Sequence, residues 1–300
     1  MTFADWWGRF QGRDRAALAR LISRAAQGQF LTELRQALAA NPRPAGTRVI
    51  AFTGAGGVGK STLVGKMLDS FRAAGHAVAV LACDPESPLT GGALLGDRLR
   101  MPAHPEDDRV FIRSLATPSG HEAVPDHLNI IIDLLAAFGF DLILLETVGA
   151  GQGDTAVRNL ADVLAVLVQP EAGDDIQWEK AGLLEVADVV VVHKADLPGA
   201  DRTEAQVKSL LNLPGCKDVP VARVSSNKNE GVTALRDLLL SLPSRRGQMR
   251  RTGASLIRLA QDLLADHWHA RPDELAAVVH QWQTGALSSD QAAARLLGVR

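Results

Sequence analysis

Gly54-Ala55-Gly56-Gly57-Val58-Gly59-Lys60-Ser61-Thr62 is the stretch of sequence that decides the fold. It matches G-x-x-x-x-G-K-[S/T], a pattern in which glycines let the backbone curl so that successive N–H groups point at one phosphate. Residues 48–53 before it form a short apolar run typical of a buried strand, and the apolar residues after Ser61 have helical spacing. A strand, a glycine loop and a helix in this order predict a phosphate-binding site rather than an ordinary glycine turn.

The side chains at the end of the loop predict how the phosphates are held. We expect Lys60 to reach the β- and γ-phosphates and the Ser61 hydroxyl to bind Mg²⁺. The loop as a whole is expected to cradle the nucleotide through Gly56, Gly57, Val58, Gly59, Lys60, Ser61 and Thr62. The predicted ligand is therefore a nucleoside triphosphate or diphosphate with Mg²⁺.

The sequence around this loop predicts an α/β fold. Six short apolar runs alternate with helical patterns, which is typical of a mostly parallel sheet covered by helices on both faces, as in P-loop NTPases. The runs are 48–53, 77–82, 141–146, 163–168, 188–193 and 219–224. We expect this nucleotide-binding domain to occupy residues 46–243. Residues 1–45 are expected to form an N-terminal helical extension, and residues 244–300 a C-terminal helical arm for packing or dimerisation.

The composition excludes several classes of protein. The 300 residues carry a formal net charge of −2, so no broad basic face indicates nucleic acid. Cys83 and Cys216 lie far apart in sequence and do not predict a disulfide framework, so we expect a cytoplasmic location. The start of the chain lacks a signal-peptide pattern, and charged residues or glycine interrupt every apolar segment. We therefore expect a soluble protein with neither a nucleic-acid nor a membrane partner.

Acidic residues follow two of the predicted strands, at the edge where ligands of open α/β sheets bind. Glu146 ends the run 141–146 and can hold Mg²⁺, while Asp84 and Asp97 are further candidates. Gly149 can approach the γ-phosphate through its N–H and tolerates a change of backbone angles when that phosphate leaves. A helix cap for Asp84 and a turn for Asp97 are the alternatives.

The base is expected to be read by His193-Lys194-Ala195-Asp196. Guanine presents N1–H and N2–H₂ as adjacent donors that one carboxylate accepts, whereas adenine presents an acceptor at N1. Asp196 therefore selects guanine, with the Lys194 stem against the ring. The segment after the last predicted strand is expected to place a backbone N–H near guanine O6, through Ser225, Ser226 and Asn227; a plain turn is the alternative for Asn227. The predicted cofactors are GTP or GDP and Mg²⁺.

These residues together resemble the MeaB family of P-loop GTPases. Residues 84–87 and 90–101 are similar to the family's D-P-S-S and T-G-G-S-I-L-G-D-K-T-R-M. Residues 146–152 are similar to its E-T-V-G-V-G-Q, and residues 173–182 to its G-D-E-L-Q-G-I-K-x-G loop. The resemblance extends from about residue 12 to about residue 250.

The resemblance implies a homodimeric GTPase of the metallochaperone type. Slow intrinsic turnover is expected because the sequence indicates neither an arginine finger nor a compelling catalytic base. Its partner would be an adenosylcobalamin-dependent acyl-CoA mutase. The GTPase would gate the loading of cobalamin into that mutase and would protect the mutase. It also implies that Mg²⁺ is surrounded by Asp84, Asp97 and Glu146. Residues 173–182 would be a third switch with Asp174 and Lys180 as its charged pair, although the residues alone indicate a solvated loop. Gln152 is a candidate for positioning the attacking water, and loop hydrogen bonding is its alternative.

Three departures from the family pattern indicate a divergent subfamily with a client other than the standard mutase. His193 stands where the guanine motif N-K-x-D has Asn, and it could donate to guanine N7 instead. Residues 114–122 replace the family's S-P-S-S-G-T-L-G-G, and Trp178 occupies a position that is usually small. A weakly active paralogue is the alternative interpretation.

Three other functions compete with this one. A nickel-insertion GTPase would need a metal cluster, but His267 and His269 are the only close histidine pair and would lie on different helix faces. A small-molecule kinase would need an acceptor pocket that the sequence does not indicate. A nucleotide-locked interaction module would bind GDP with little hydrolysis.

Overall fold

The computed structural model describes most of the chain. The described ranges are 1–85, 106–117, 125, 127–147, 154–170, 184, 186–212, 218–244 and 271–298, with isolated positions between 256 and 268. For residues 84, 85 and 154–156 only the backbone is described.

The described chain contains one parallel β-sheet. Its strands are β1 (Arg48–Gly54), β2 (Val78–Pro85), β3 (Val110–Thr117), β4 (Leu142–Glu146), β5 (Val163–Val168), β6 (Val189–His193) and β7 (Val221–Val224). The strand order is β3-β2-β4-β1-β5-β6-β7, and every neighbouring pair is parallel. The predicted fold class is confirmed, with six of these strands where the apolar runs predicted them.

The edge strand β3 was not predicted from the sequence. Arg113 and Ser114 interrupt its apolar pattern, and only part of the strand is fully buried. It forms because it pairs with β2 along its whole length, from Val110 opposite Val78 to Thr117 opposite Pro85. A pairing partner distant in sequence therefore decides this element, and local periodicity does not reveal it.

Helices cover both faces of the sheet. They are α1 (Phe3–Gln11), α2 (Arg15–Ala26), α3 (Leu31–Ala40), α4 (Lys60–Ala73), α5 (Leu128–Ala137), α6 (Asp154–Leu160), α7 (Ala200–Leu211), α8 (Val232–Ser241), α9 (Pro272–Gln283) and α10 (Ser289–Leu297). In β1, Val49 and Ala51 belong to a core shared with α1, α2, α3 and α5, whereas Ile50 and Phe52 belong to a core shared with α4 and α8. Within the described residues, no helix combines the length and apolar character needed to cross a membrane.

Three aspartates, of which Asp162 and Asp188 are buried and Asp141 is exposed, secure the amino-terminal edge of the sheet. Each lies just before a strand, and one of its oxygens accepts a hydrogen bond from the backbone N–H of a neighbouring chain segment. The pairs are Asp141 with Ala77 at 2.8 Å, Asp162 with Val49 at 2.8 Å and Asp188 with Leu164 at 2.9 Å. These contacts fix the register of the central strands. They therefore also determine which residues meet at the opposite, carboxyl edge of the sheet.

The aromatic residues of α1 pack against the main core. Trp7 stacks on Phe3 and Phe10, with ring centroids 5.8 and 4.8 Å apart. Phe10 is buried and contacts Phe138, with 5.4 Å between the ring centroids. Through Trp6, Trp7 and Phe10 the N-terminal segment is therefore held against the core.

Candidate functional site

The glycine loop joins β1 to α4 at the carboxyl edge of the sheet. Gly57 and Gly59 have φ angles of +76° and +97°, which L side chains rarely adopt. A Cβ atom added at Gly59 would also lie only 2.6 Å from His193 Cε1. Glycine is therefore required at position 59 both by its backbone angle and by the close approach of β6.

Lys60 is the first residue of α4 and lies largely buried beneath the loop, with 8% of its surface exposed. Its Nζ donates hydrogen bonds to Gly54 O at 2.9 Å and Ala55 O at 3.2 Å. The same loop ends at the N-terminus of α4, where backbone N–H groups and the helix dipole favour an anion. A buried ammonium and a helix N-terminus thus converge where a phosphate is predicted.

Ser61 meets an acid from a neighbouring strand. The β1–β4 register places Phe52 opposite Glu146, and the Ser61 hydroxyl donates to Glu146 Oε1 at 2.6 Å. Glu146 is buried, with 2% exposed. A hydroxyl and a carboxylate are the hard oxygen donors that Mg²⁺ prefers, so this pair fits the predicted ion. In the part of the chain that the structure describes, no three His, Cys, Asp or Glu residues form a metal cluster.

His193 ends β6 and is buried beneath the glycine loop. Its Nδ1 lies 2.8 Å from Val58 O, and its Nε2 lies 2.7 Å from Ser226 Oγ. Because a carbonyl only accepts, Nδ1 carries the proton, and Nε2 accepts from the Ser226 hydroxyl. Both ring nitrogens therefore bond protein groups. The predicted donation from His193 to guanine N7 does not fit this geometry; the ring instead joins the loop to the segment after β7.

Lys194 crosses the outer side of the loop. Its Nζ donates to Gly57 O at 2.8 Å and to Gln169 Oε1 at 2.7 Å. Its backbone is left-handed, with φ of +54°. The lysine thereby links the guanine motif, the phosphate loop and the end of β5.

Asp196 is held in its charged form beside the loop. Its Oδ1 accepts a hydrogen bond from Ser225 Oγ at 2.6 Å. This hydrogen bond is the main cause that lowers the pKa of Asp196, followed by a bond to its own backbone. A carboxylate ionised at neutral pH is what the two adjacent donors of guanine require.

The segment after β7 is formed by buried and exposed residues with different roles. Ser225 and Ser226 are buried and bond Asp196 and His193, respectively. Asn227 is exposed, and the N–H of Lys228 donates to Ser225 Oγ at 3.2 Å. Two elements distant in sequence, β6 and β7, therefore build the base side of the site together.

The structure assembles the described part of the predicted site at one edge of the sheet. Thr62 is exposed on α4 beside Ser61, and the Asp84 backbone lies at the end of β2. Five predicted site residues lie outside the described residues: Asp97, Gly149, Gln152, Asp174 and Lys180. Sequence patterns assigned no role to Gln169 and did not reveal the His193–Ser226 hydrogen bond, although Gln169 and Ser226 follow predicted strands at the ligand edge.

Acidification is expected to weaken the fold through His193. Burial is the main cause that lowers its pKa below the ordinary value of 6.5, assisted by Lys194 and opposed by the Val58 bond and by Asp196. As the pH falls through about 6.5, the His193 ring binds a proton more readily in the unfolded chain than in the folded protein. The contribution of His193 to the free energy of unfolding is therefore fully present above that pH and decreases below it. Urea unfolding at about pH 7.5 and about pH 5.5 should show a smaller advantage of wild type over His193→Asn at the lower pH.

A matched control for this prediction is His280→Asn, which replaces an exposed histidine on α9. Because this ring is exposed, its replacement should not reduce the stability advantage of wild type at the lower pH. A His193→Asn variant that also shows no such reduction would contradict the prediction.

The fold and this site define a nucleotide-binding protein of the P-loop class. The family model described as "Methylmalonyl Co-A mutase-associated GTPase MeaB" matches residues 18–281. The chain therefore belongs to the MeaB family, and it is a P-loop GTPase, an enzyme that binds guanine nucleotides and hydrolyses GTP.

Individual proteins agree with this assignment. A candidate GTPase of Pyrococcus abyssi is 39% identical over 236 residues, which cover 76% of this chain and 72% of that protein. A fused isobutyryl-CoA mutase of Nocardia farcinica is 39% identical over 245 residues, covering 78% of this chain but only 23% of that protein. The crystal structure of an LAO/AO transport system kinase has a TM-score of 0.61 at 22% identity, covers 98% of this chain and 96% of its own, and supports the fold alone.

Proposed function

We propose that this GTPase controls the loading of adenosylcobalamin into an acyl-CoA mutase and protects that mutase. The observation that carries the proposal is the likeness to a segment of a fused isobutyryl-CoA mutase. A GTPase segment joined to a mutase in one polypeptide is expected when the two act together. The family description, which names association with methylmalonyl-CoA mutase, supports the same partner class.

The chemistry proposed for the site uses the residues at the carboxyl edge of the sheet. Lys60 and the loop N–H groups stabilise negative charge on the transferring γ-phosphoryl group. Ser61 and Glu146 are proposed to hold Mg²⁺ together with Asp84 and Asp97. When bound, the ion would neutralise charge on the phosphate oxygens.

The remaining catalytic assignments are proposals from the family resemblance. Asp174 and Lys180 are proposed as the charged pair of a third switch, Gln152 as a residue that positions water, and Gly149 as a γ-phosphate contact. Intrinsic turnover should be slow, and the mutase should accelerate it by ordering loops around the nucleotide.

We also propose that the GTPase acts as a homodimer in the cytoplasm, with residues 244–300 as a C-terminal arm. Support comes from the surface of α9 and α10, where Trp282 is 50% exposed and Leu297 is 60% exposed. Such large apolar side chains on an arm are suited to a protein interface. For a nickel-insertion role, by contrast, the described residues provide no metal cluster.

The partner can be tested by capture followed by kinetics. The chain, loaded with GDP or a non-hydrolysable GTP analogue, is used to capture proteins from its source cell. Recovered cobalamin mutases, with purified methylmalonyl-CoA and isobutyryl-CoA mutases, are then added to a phosphate-release assay. The client mutase should raise GTP turnover about tenfold or more, and Lys60→Ala should show no such increase.

The outcomes separate the competing functions. Measurable intrinsic hydrolysis that no cobalamin mutase changes would contradict the proposed partner. Undetectable hydrolysis with every mutase, together with retained GDP binding, would instead favour the interaction module.

A further inference from the structure

A glutamine at the end of β5 contacts the guanine motif. The β5–β6 register places Val168 opposite Val192, so Gln169 comes level with the residues that follow on β6. Gln169 is half-buried, and its Oε1 accepts a hydrogen bond from Lys194 Nζ at 2.7 Å. The reaction described above leaves this side chain without a role.

The geometry of Lys194 explains why a second acceptor matters. Its Nζ donates to Gly57 O at 2.8 Å as well as to Gln169, so one ammonium is held between the phosphate loop and β5. A lysine side chain has many rotamers, and a ligand that must fix it loses binding free energy. Two acceptors from different segments of the chain restrict the ammonium before any nucleotide binds.

We propose that Gln169 is a positioning residue for guanine nucleotides. By holding the Lys194 ammonium, it keeps the lysine stem where it can pack against the face of the guanine ring and keeps the Gly57 carbonyl in its place in the loop. The proposal rests on a guanine nucleotide occupying this site and requires no mutase partner. It can therefore fail or succeed independently of the proposed function in mutase control.

The chemistry of position 169 provides a graded set of variants. Gln169→Leu keeps a similar volume but removes the acceptor. Gln169→Glu retains an acceptor and turns the hydrogen bond to the ammonium into an ion pair, which strengthens it. A purely space-filling role would be served by leucine, whereas a positioning role requires an oxygen atom.

The test measures GDP affinity by titration with a fluorescent GDP analogue, and KM and kcat for GTP by phosphate release, both without mutase. We expect Gln169→Leu to raise the Kd for GDP and the KM for GTP about tenfold with little change in kcat. Gln169→Glu should bind at least as tightly as wild type. Gln206→Leu, the same change at a half-buried glutamine on α7, should leave both constants unchanged.

A double-mutant cycle provides the decisive comparison. In a Lys194→Met background the ammonium is absent, so Gln169→Leu should change the Kd by less than about twofold. An equal loss in both backgrounds, or full affinity in Gln169→Leu alone, would overturn the proposal. If Gln169→Leu does not fold, Gln169→Ala replaces it in the same cycle. Wild type that fails to bind GDP would overturn the guanine site itself as well as this inference.

Discussion

Replacing Lys60 by alanine is expected to reduce the turnover number for GTP by about 10²- to 10³-fold. Lys60 is 8% exposed, and its ammonium is held at the loop by the carbonyls of Gly54 and Ala55. Because it is positioned before the reaction, it can stabilise charge that develops on the phosphoryl group without rearrangement. Single-turnover phosphate release at saturating GTP measures this effect directly.

Lys66→Ala is the matched control for this prediction. Lys66 is a half-buried lysine on the same helix, α4, and lies outside the glycine loop. Its replacement should leave turnover within about twofold of wild type, because surface substitutions outside a site change little. Thermal unfolding of both variants checks that the fold is intact. A folded Lys60→Ala variant with near-normal turnover would contradict the assignment of the loop as the catalytic phosphate site.

The fold was predictable from sequence wherever local pattern and local structure coincide. Residues 48–62 form a strand, a glycine loop and a helix, and each of these is determined by the residues within it. Of the five other predicted strands, β2, β4, β5 and β6 are apolar because both faces of the sheet are covered, so their sequences identify them without knowledge of their neighbours. The edge strand β7 is less buried and carries the exposed Arg223. The predicted positions of Lys60, Ser61 and Asp196 followed from this arrangement.

Contacts between distant elements could not be predicted in this way. The edge strand β3 depends on pairing with β2. Because it contains polar residues, it does not form the apolar run by which the other strands were predicted. The role of His193 depends on Val58 and Ser226, which lie 135 and 33 residues away in sequence. From the sequence, a histidine at position 193 in place of asparagine indicated a change in base recognition. In the structure the His193 ring instead bonds to Val58 of the glycine loop and to Ser226.

Asp196→Asn is expected to change the preferred nucleotide from GTP to xanthosine triphosphate. The amide oxygen can accept from N1–H of either base, but the amide NH₂ faces guanine N2–H₂ as a second donor. In xanthine an acceptor oxygen replaces N2–H₂, so the same NH₂ forms a hydrogen bond. Because an unmatched buried polar group is costly, GTP affinity should fall about 100-fold or more while xanthosine triphosphate gains affinity.

The structure makes this exchange specific to Asp196. Ser225 Oγ donates to Asp196 Oδ1 at 2.6 Å, and it can donate equally to the amide oxygen of asparagine, so the side chain should keep its position. In wild type the lowered pKa of Asp196 keeps the carboxylate charged, so the preference for GTP should not change between about pH 8 and about pH 5.

Competition titrations with GTP, xanthosine triphosphate and ATP measure the three affinities. Asp237→Asn, on the exposed side of α8, should keep the wild-type order. If Asp196→Asn also keeps that order, the base is read by groups other than this carboxylate, and the guanine pocket must be placed elsewhere along the carboxyl edge.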